Sequence, residues 1–262
     1  MDLKELHQHA EVILQALRLK THPLAIKMLK AEEEIPKEAI RPVRDMGYHL
    51  DLCQGFSRTR WEGKTMAFLK EDMWCFEPAV GYGLAEPPKA FLEGHNRYPA
   101  TAKTLEAGSN WAKSAPRLDV GIFVGIVTAP LNTCSFEPDM FLLYCDPAQL
   151  THIMIAKNWI DGGDITTTLS GHAGCVNAVV PVLQNKKCWV TSPCQGDRRI
   201  AATRDSELIF SGPIEILPDL VEAFNSFEGE WKYPWPHYLQ YERELSDNYA
   251  ELGKMMGMDY CK

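Results

Sequence analysis

The sequence predicts an α+β fold: a single mixed-sheet domain with flanking helices over residues 1–230, followed by a C-terminal helical aromatic arm over 231–262 that is not an independent domain. Three observations predict it. Strand-like and helical segments alternate without the regular rhythm of a doubly wound sheet. No linker rich in Gly, Pro or Ser divides the chain. The 262 residues, 45% hydrophobic and 24% charged, can bury a sizeable core and are unlike a disordered or fibrous chain.

Each element follows from local pattern. Leu6, Val12, Ile13, Ala16 and Leu17 recur with helical period across 3–19, and His22-Pro23 ends that helix. His7-Gln8-His9 reads as a solvated turn of it, since residues two apart do not share a helix face. Leu24–Leu29 reads as a strand, and Glu32-Glu33-Glu34 before Pro36 as a solvated connection. A short helix around Leu50–Trp61 carries Cys53 and stops at Gly63, before a strand at Thr65–Leu69 and a turn region at Pro78–Leu84. Four prolines over 86–117 predict short helices joined by loops.

Asp119–Thr128 and Met140–Cys145 read as buried strands. Pro147–Trp159 has helical spacing, with Asp146 as its N-cap and Gly162-Gly163 beyond its end. Thr166–Gly174 is a small-residue loop leading through Cys175 into an apolar helix, Val176–Leu183. A strand at Trp189–Thr191, a helix from near Cys194, a strand at Glu207–Phe210 and a helix at Pro218–Phe227 complete the series. Trp231, Tyr233, Trp235, Tyr238 and Tyr241 mark the arm, and their apolar ring area predicts cover by a homodimer.

Charge narrows the partners. Twenty-seven Lys and Arg stand against 35 Asp and Glu, a net charge of −8 that argues against a general nucleic-acid binder and against anionic membranes. There is no basic segment followed by an apolar one at the start, and Val120–Leu131 is too short and too interrupted to span a bilayer. The cytoplasm is the expected location, so the eight cysteines are expected to be reduced.

Cys134, Cys145 and Cys188 sit in apolar runs and read as core, and Cys261 lies at the chain end. Cys53, Cys75, Cys175 and Cys194 remain. Two of them open a near-repeat, Cys53-Gln54-Gly55-Phe56-Ser57-Arg58 and Cys194-Gln195-Gly196-Asp197-Arg198-Arg199, with the shared pattern C-Q-G-x-x-R. Two similar half-sites facing each other would gather four thiols. Thiolates select iron–sulfur clusters, zinc or Cu(I). The short C-x₂₋₄-C knuckle of structural zinc is absent, so widely spaced cysteines favour an iron–sulfur cluster, with zinc as the alternative. A set of plain core thiols is the competing reading.

The order of motifs resembles the bacterial and archaeal family called domain of unknown function 169. Leu19…Pro23-Leu24-Ala25-Ile26-Lys27, Cys53 with Arg60 and Gly63-Lys64-Thr65, and Cys75 with Gly81-Tyr82-Gly83-Leu84 carry the resemblance. Ser170-Gly171-His172-Ala173-Gly174-Cys175, Cys194-Gln195-Gly196-Asp197-Arg198, and Glu207-Leu208 before Pro213 continue it. It runs from about 19 to 227 and implies a site shared by the same four cysteines and a place in anaerobic metabolism, with no reaction specified.

His172, on a Gly-rich loop beside Cys175, is the candidate proton carrier. Arg58, Arg60, Arg198 and Arg199 are candidates to bind a small anionic metabolite, and Asp197 either pairs with an arginine or caps its helix. Gly81-Tyr82-Gly83 lacks the third glycine of a dinucleotide turn, and there is no Walker lysine pattern or serine nucleophile elbow. The expected function is therefore a 4Fe–4S enzyme, a lyase if three thiolates bind and an oxidoreductase if four do. The alternatives are a redox or metal sensor, and a metal-free metabolite-binding protein.

Overall fold

Alternate residues of the strand Met140–Cys145 belong to different cores: Met140, Leu142 and Tyr144 to one, Phe141, Leu143 and Cys145 to the other. That is the period-two division of a sheet covered on both faces. A computed structural model of the chain describes residues 1–237 and 245–258. Its strands are β1 (Leu24–Leu29), β2 (Met66–Leu69), β3 (Gly125–Pro130), β4 (Met140–Cys145), β5 (Trp189–Thr191) and β6 (Leu208–Pro213). They form one sheet in the order β2-β3-β1-β4-β6-β5, with every pairing antiparallel. The fold is α+β.

Helices α1 (Leu3–Ala16), α2 (Leu52–Glu62), α3 (Phe76–Gly81), α4 (Lys89–Leu92) and α5 (Leu105–Ser114) precede or interrupt the first strands. Helices α6 (Pro147–Asp161), α7 (Gly174–Asn185), α8 (Gln195–Ile200), α9 (Leu217–Ser226) and α10 (Asp247–Met255) follow. Leu6 and Ile13 of α1, Leu150 and Ile153 of α6, and Leu220 and Phe224 of α9 cover one face. Leu52 and Phe56 of α2, Ala79 of α3, and Val176, Val179 and Val180 of α7 cover the other. This second face carries the candidate site.

The caps are where the sequence places them. Asp146 accepts the Gln149 N–H at 2.9 Å while Gln149 accepts the Asp146 N–H at 2.8 Å, so two otherwise unpaired donors at the start of α6 are satisfied. Gly63 and Gly162 close α2 and α6 in left-handed conformation, each at φ 68°.

Three local expectations are corrected. The strand expected from Asp119 begins at Gly125, because β1 ends at Leu29, opposite Gly125, and leaves the preceding residues no full partner. That segment is pinned as a loop by the Gly121 N–H on the Gly83 carbonyl, and Val120, Ile122 and Val124 are exposed. The turn expected at Pro78–Leu84 is largely helix α3; Pro78 lies in its first turn, where a missing N–H removes no helical bond. His7 is half-buried rather than solvated, with Nε2 2.9 Å from the Cys134 carbonyl.

Tyr233 and Trp235 of the arm pack on their own chain, whereas Leu252, Met255 and Met256 of α10 are exposed. His152 of α6 is 2% exposed, and its ring stacks on Phe224 at 5.1 Å and on Tyr233 at 5.6 Å, with Trp235 edge-on at 5.6 Å. Trp231 is exposed; Tyr238, Tyr241 and Cys261 lie outside the described residues.

Burial lowers the His152 pKa to about 4 from the ordinary 6.5, so between these values the unfolded chain takes a proton that the folded one refuses. Stability from this residue is therefore complete above pH 6.5 and is lost as pH falls toward 4. His152→Phe should flatten that part of the stability profile by on the order of 2 kcal/mol, measured as urea unfolding at stepped pH. An unchanged acid slope would show that another group carries it.

Candidate functional site: a buried four-thiol centre

Each of the four singled-out cysteines stands at the beginning of a helix. Cys53 is the second residue of α2 and Cys175 the second of α7; Cys75 and Cys194 are the caps of α3 and α8. Cys53 and Cys175 are buried at 7% and 6% exposure, and Cys75 and Cys194 lie half-buried at the edge. The four thiols make six pairs, and in every one of the six a negative charge on one member raises the pKa of the other. Cys134, Cys145 and Cys188 are buried apart, and no thiol acts on them. The structure thus brings Cys53, Cys75, Cys175 and Cys194 to one place.

Local chemistry explains the convergence. Asp51 caps α2, where its N–H donates to Gln54 Oε1 at 2.9 Å, and its carboxylate accepts the Cys75 N–H, joining two of the cysteine turns. Gly174 allows the other two to meet. A Cβ there would lie 2.4 Å from Asp197 Oδ2 and 2.9 Å from the Cys194 nitrogen, so a side chain would force the turns apart. The preceding Ala173 holds φ 50°, a left-handed conformation that costs an alanine about 1 kcal/mol. Tyr82, fully buried, donates its hydroxyl to the Cys175 carbonyl at 3.0 Å.

The near-repeat is not a structural repeat. In the first copy Cys53 lies inside the helix and Gln54 bonds back to the cap; in the second Cys194 is itself the cap and Asp197 performs that bond, leaving Gln195 exposed. The glycines differ as well. Gly55 makes room for the Phe68 ring, whereas a Cβ on Gly196 would stand 3.6 Å from Cys194 Sγ and 4.0 Å from Cys53 Sγ.

Electrostatics at the centre are opposed. Backbone N–H groups of Glu77, Gly174 and Asp197 donate to sulfur, which favours thiolates: the first bonds Cys75, the other two Cys194. Burial outweighs them. It pushes Cys75 up to about 12, with Glu77 adding to the effect, and raises Cys53, Cys175 and Cys194. Asp197 is fully buried; it accepts the Cys194 N–H at 2.8 Å and the Cys194 thiol, and its Oδ1 has no partner. Burial raises its pKa, while Arg60 and Arg198 oppose the rise. Among the described residues no three His, Cys, Asp or Glu side chains stand close enough to hold a single metal ion.

The remaining candidates take varied places. His172 is half-buried with its ring 5.3 Å from Trp111; burial, then Arg97, lowers its pKa. Arg60 is buried at 1% exposure in a bidentate pair with Glu207 at 2.9 and 3.0 Å, with its guanidinium 3.9 Å from the Tyr144 ring centre. Arg58 pairs with Glu62 at 3.3 Å, Arg198 donates to the Arg204 carbonyl at 2.6 Å, and Arg199 is exposed. Asp51, Tyr82 and Tyr144 belong to the centre's surroundings and were not singled out by sequence. Only Tyr82 had a signal, as the bulky residue between two glycines.

Fold and site together define an α+β protein with a buried four-thiol centre. The profile of the uncharacterised ArCR family, domain of unknown function 169, matches residues 12–223, and the chain belongs to that family. It is similar to Uncharacterized protein MJ0308 of Methanocaldococcus jannaschii, with 26% identity over 234 residues, covering 88% of this chain and 98% of that protein. No solved structure matches the chain.

Breaking the buried Arg60–Glu207 pair from one side leaves a charge unpaired. Arg60→Ala and Glu207→Ala should each cost about 3–5 kcal/mol in denaturant unfolding, and the double replacement Arg60→Met with Glu207→Leu should recover most of the loss. Single variants within 1 kcal/mol of the parent would show the pair to be dispensable.

Proposed function

We propose that the protein is a cytoplasmic iron–sulfur protein that holds a 4Fe–4S cluster on Cys53, Cys75, Cys175 and Cys194, and an enzyme acting on a small anionic metabolite. The observation that carries this reading is the convergence of the cysteine-bearing helix starts: a Cβ on Gly196 would stand within 4.0 Å of both Cys194 Sγ and Cys53 Sγ, and one on Gly174, beside Cys175, 2.9 Å from the Cys194 nitrogen, while in each pair of the four thiols one raises the pKa of the other. The donor set fits: four soft ligands, backbone N–H groups aimed at sulfur and an apolar surround are conditions under which iron–sulfur clusters are held. The seven described cysteines are free thiols, in keeping with a reducing compartment.

When bound, such a group supplies electron transfer if all four thiolates close it, and Lewis acidity if one iron is left open. We favour the closed, oxidoreductase form, because each of the four cysteines stands at a helix start and each pair of them interacts electrostatically. The chain's own groups bind and position. With Arg60 committed to Glu207, the metabolite's charge falls to Arg58, Arg198 and Arg199. His172 stays neutral near pH 7, because its pKa is lowered, and so can accept a proton there. Exposed Leu252, Met255 and Met256 on α10 support a homodimer. Light scattering at the monomer mass would remove that part.

Protein purified without oxygen should be brown, with iron matched by acid-labile sulfide. Alanine at each of the four cysteines should lower iron content sharply, whereas His172→Ala should keep the cluster and lose activity. Stoichiometric zinc without sulfide, or no metal, overturns the reading. Iron retained in one cysteine variant and lost in His172→Ala would reassign the ligand shell.

A further inference from the structure

The sequence around Cys75 places an aromatic residue on each side of it, and both rings are left in solvent. Trp74 is 75% exposed and Phe76 is 44% exposed. Neither is loose on the surface. His49 meets Trp74 edge-on at 5.9 Å between ring centres, and Phe91 meets Phe76 edge-on at 5.5 Å. Trp74, Cys75 and Phe76 line a cavity of about 210 Å³, whose wall also includes Met73, Ala79 and Val80.

An indole held in place yet three-quarters exposed is an unused stacking surface, since burying one aromatic face on another contributes more than area alone. The cavity is smaller than the roughly 300 Å³ at which a whole drug-sized ligand is enclosed, so it suits one ring system with any substituent left outside. Its other lining charges, Lys70 and Glu86, are of opposite sign, which favours an uncharged ring over an anion. A protein partner would need far more area than this concavity offers.

We propose that this cavity binds an uncharged planar heteroaromatic ring of about flavin size, stacked on Trp74 and held beside Cys75. The inference goes beyond the cluster reading and stands on the cavity and its rings, whatever occupies the thiols. It gives the centre a ligand other than the anionic metabolite, at the half-buried Cys75.

Riboflavin is the probe and ribitol the control for the part of it outside the ring. Equilibrium dialysis on the full chain as isolated, with iron measured on the same sample, should show one saturable riboflavin site and none for ribitol. Trp74→Ala should weaken binding about ten-fold or more, the scale of one lost stacking contact. Trp159→Ala, which removes another exposed indole remote from the cavity, should leave it unchanged. No saturable binding, equal binding to Trp74→Ala, or a loss shared with Trp159→Ala overturns the proposal. Iron without riboflavin binding defeats this inference alone; riboflavin binding without iron defeats the cluster reading alone.

Discussion

A single buried ion pair fixes the distance across which the thiol centre is built. Arg60 leaves α2 seven residues after Cys53 and meets Glu207, just before β6, in a fork of two bonds, while its second amino group also reaches the Ala202 carbonyl at 3.2 Å. The chain between Cys194 and Glu207 is therefore clamped to the helix that carries Cys53. Desolvating both charges is expensive, and it is tolerated because each oxygen of Glu207 and the terminal nitrogens of Arg60 have partners, with the Tyr144 ring beneath the guanidinium. A weaker tether would let the two turns separate, and the approach at Gly174 would have no counterpart.

Within that frame the centre is held against its own preference. Backbone donors at the sulfurs pull toward thiolate; burial, neighbouring thiols and Asp197 push toward thiol, and the push prevails. Four protonated thiols are the resting condition of the chain by itself. A positively charged group reverses the balance, since thiols that ligate a metal give up their protons and the repulsion among them becomes attraction to a common centre. The same burial that makes the free thiols inert would shield a group held there from water.

Much of this is legible in the sequence where a local rule decides. The strand Met140–Cys145 and the helix from Pro147 with its Asp146 cap come out with the right start because alternation and capping are contained in a few adjacent residues. The start of β3 is not legible, because it depends on where β1 runs out of partner, a fact about another part of the chain. The four cysteines can be sorted from the rest because Cys134, Cys145 and Cys188 sit in apolar runs and Cys261 at the chain end. Their symmetry cannot, since the identical tripeptides Cys53-Gln54-Gly55 and Cys194-Gln195-Gly196 enter helices two positions out of step. Arg60 shows the same limit. A buried partner 147 residues away removes it from the surface set to which its neighbours belong.

The sheet's two outer strands are short, four residues in β2 and three in β5, and each is already spoken for. Ile40 lies alongside β2 and takes the Ala67 N–H at 3.0 Å, while the Thr167 hydroxyl donates to the Val190 carbonyl of β5 at 2.5 Å. A foreign strand arriving at either margin finds few free backbone groups to continue the ladder. In a crowded cell this matters most during synthesis and repair, when many copies of the same chain meet. The sheet offers them no ready template for fibrous assembly, so self-recognition is left to side chains instead of backbone.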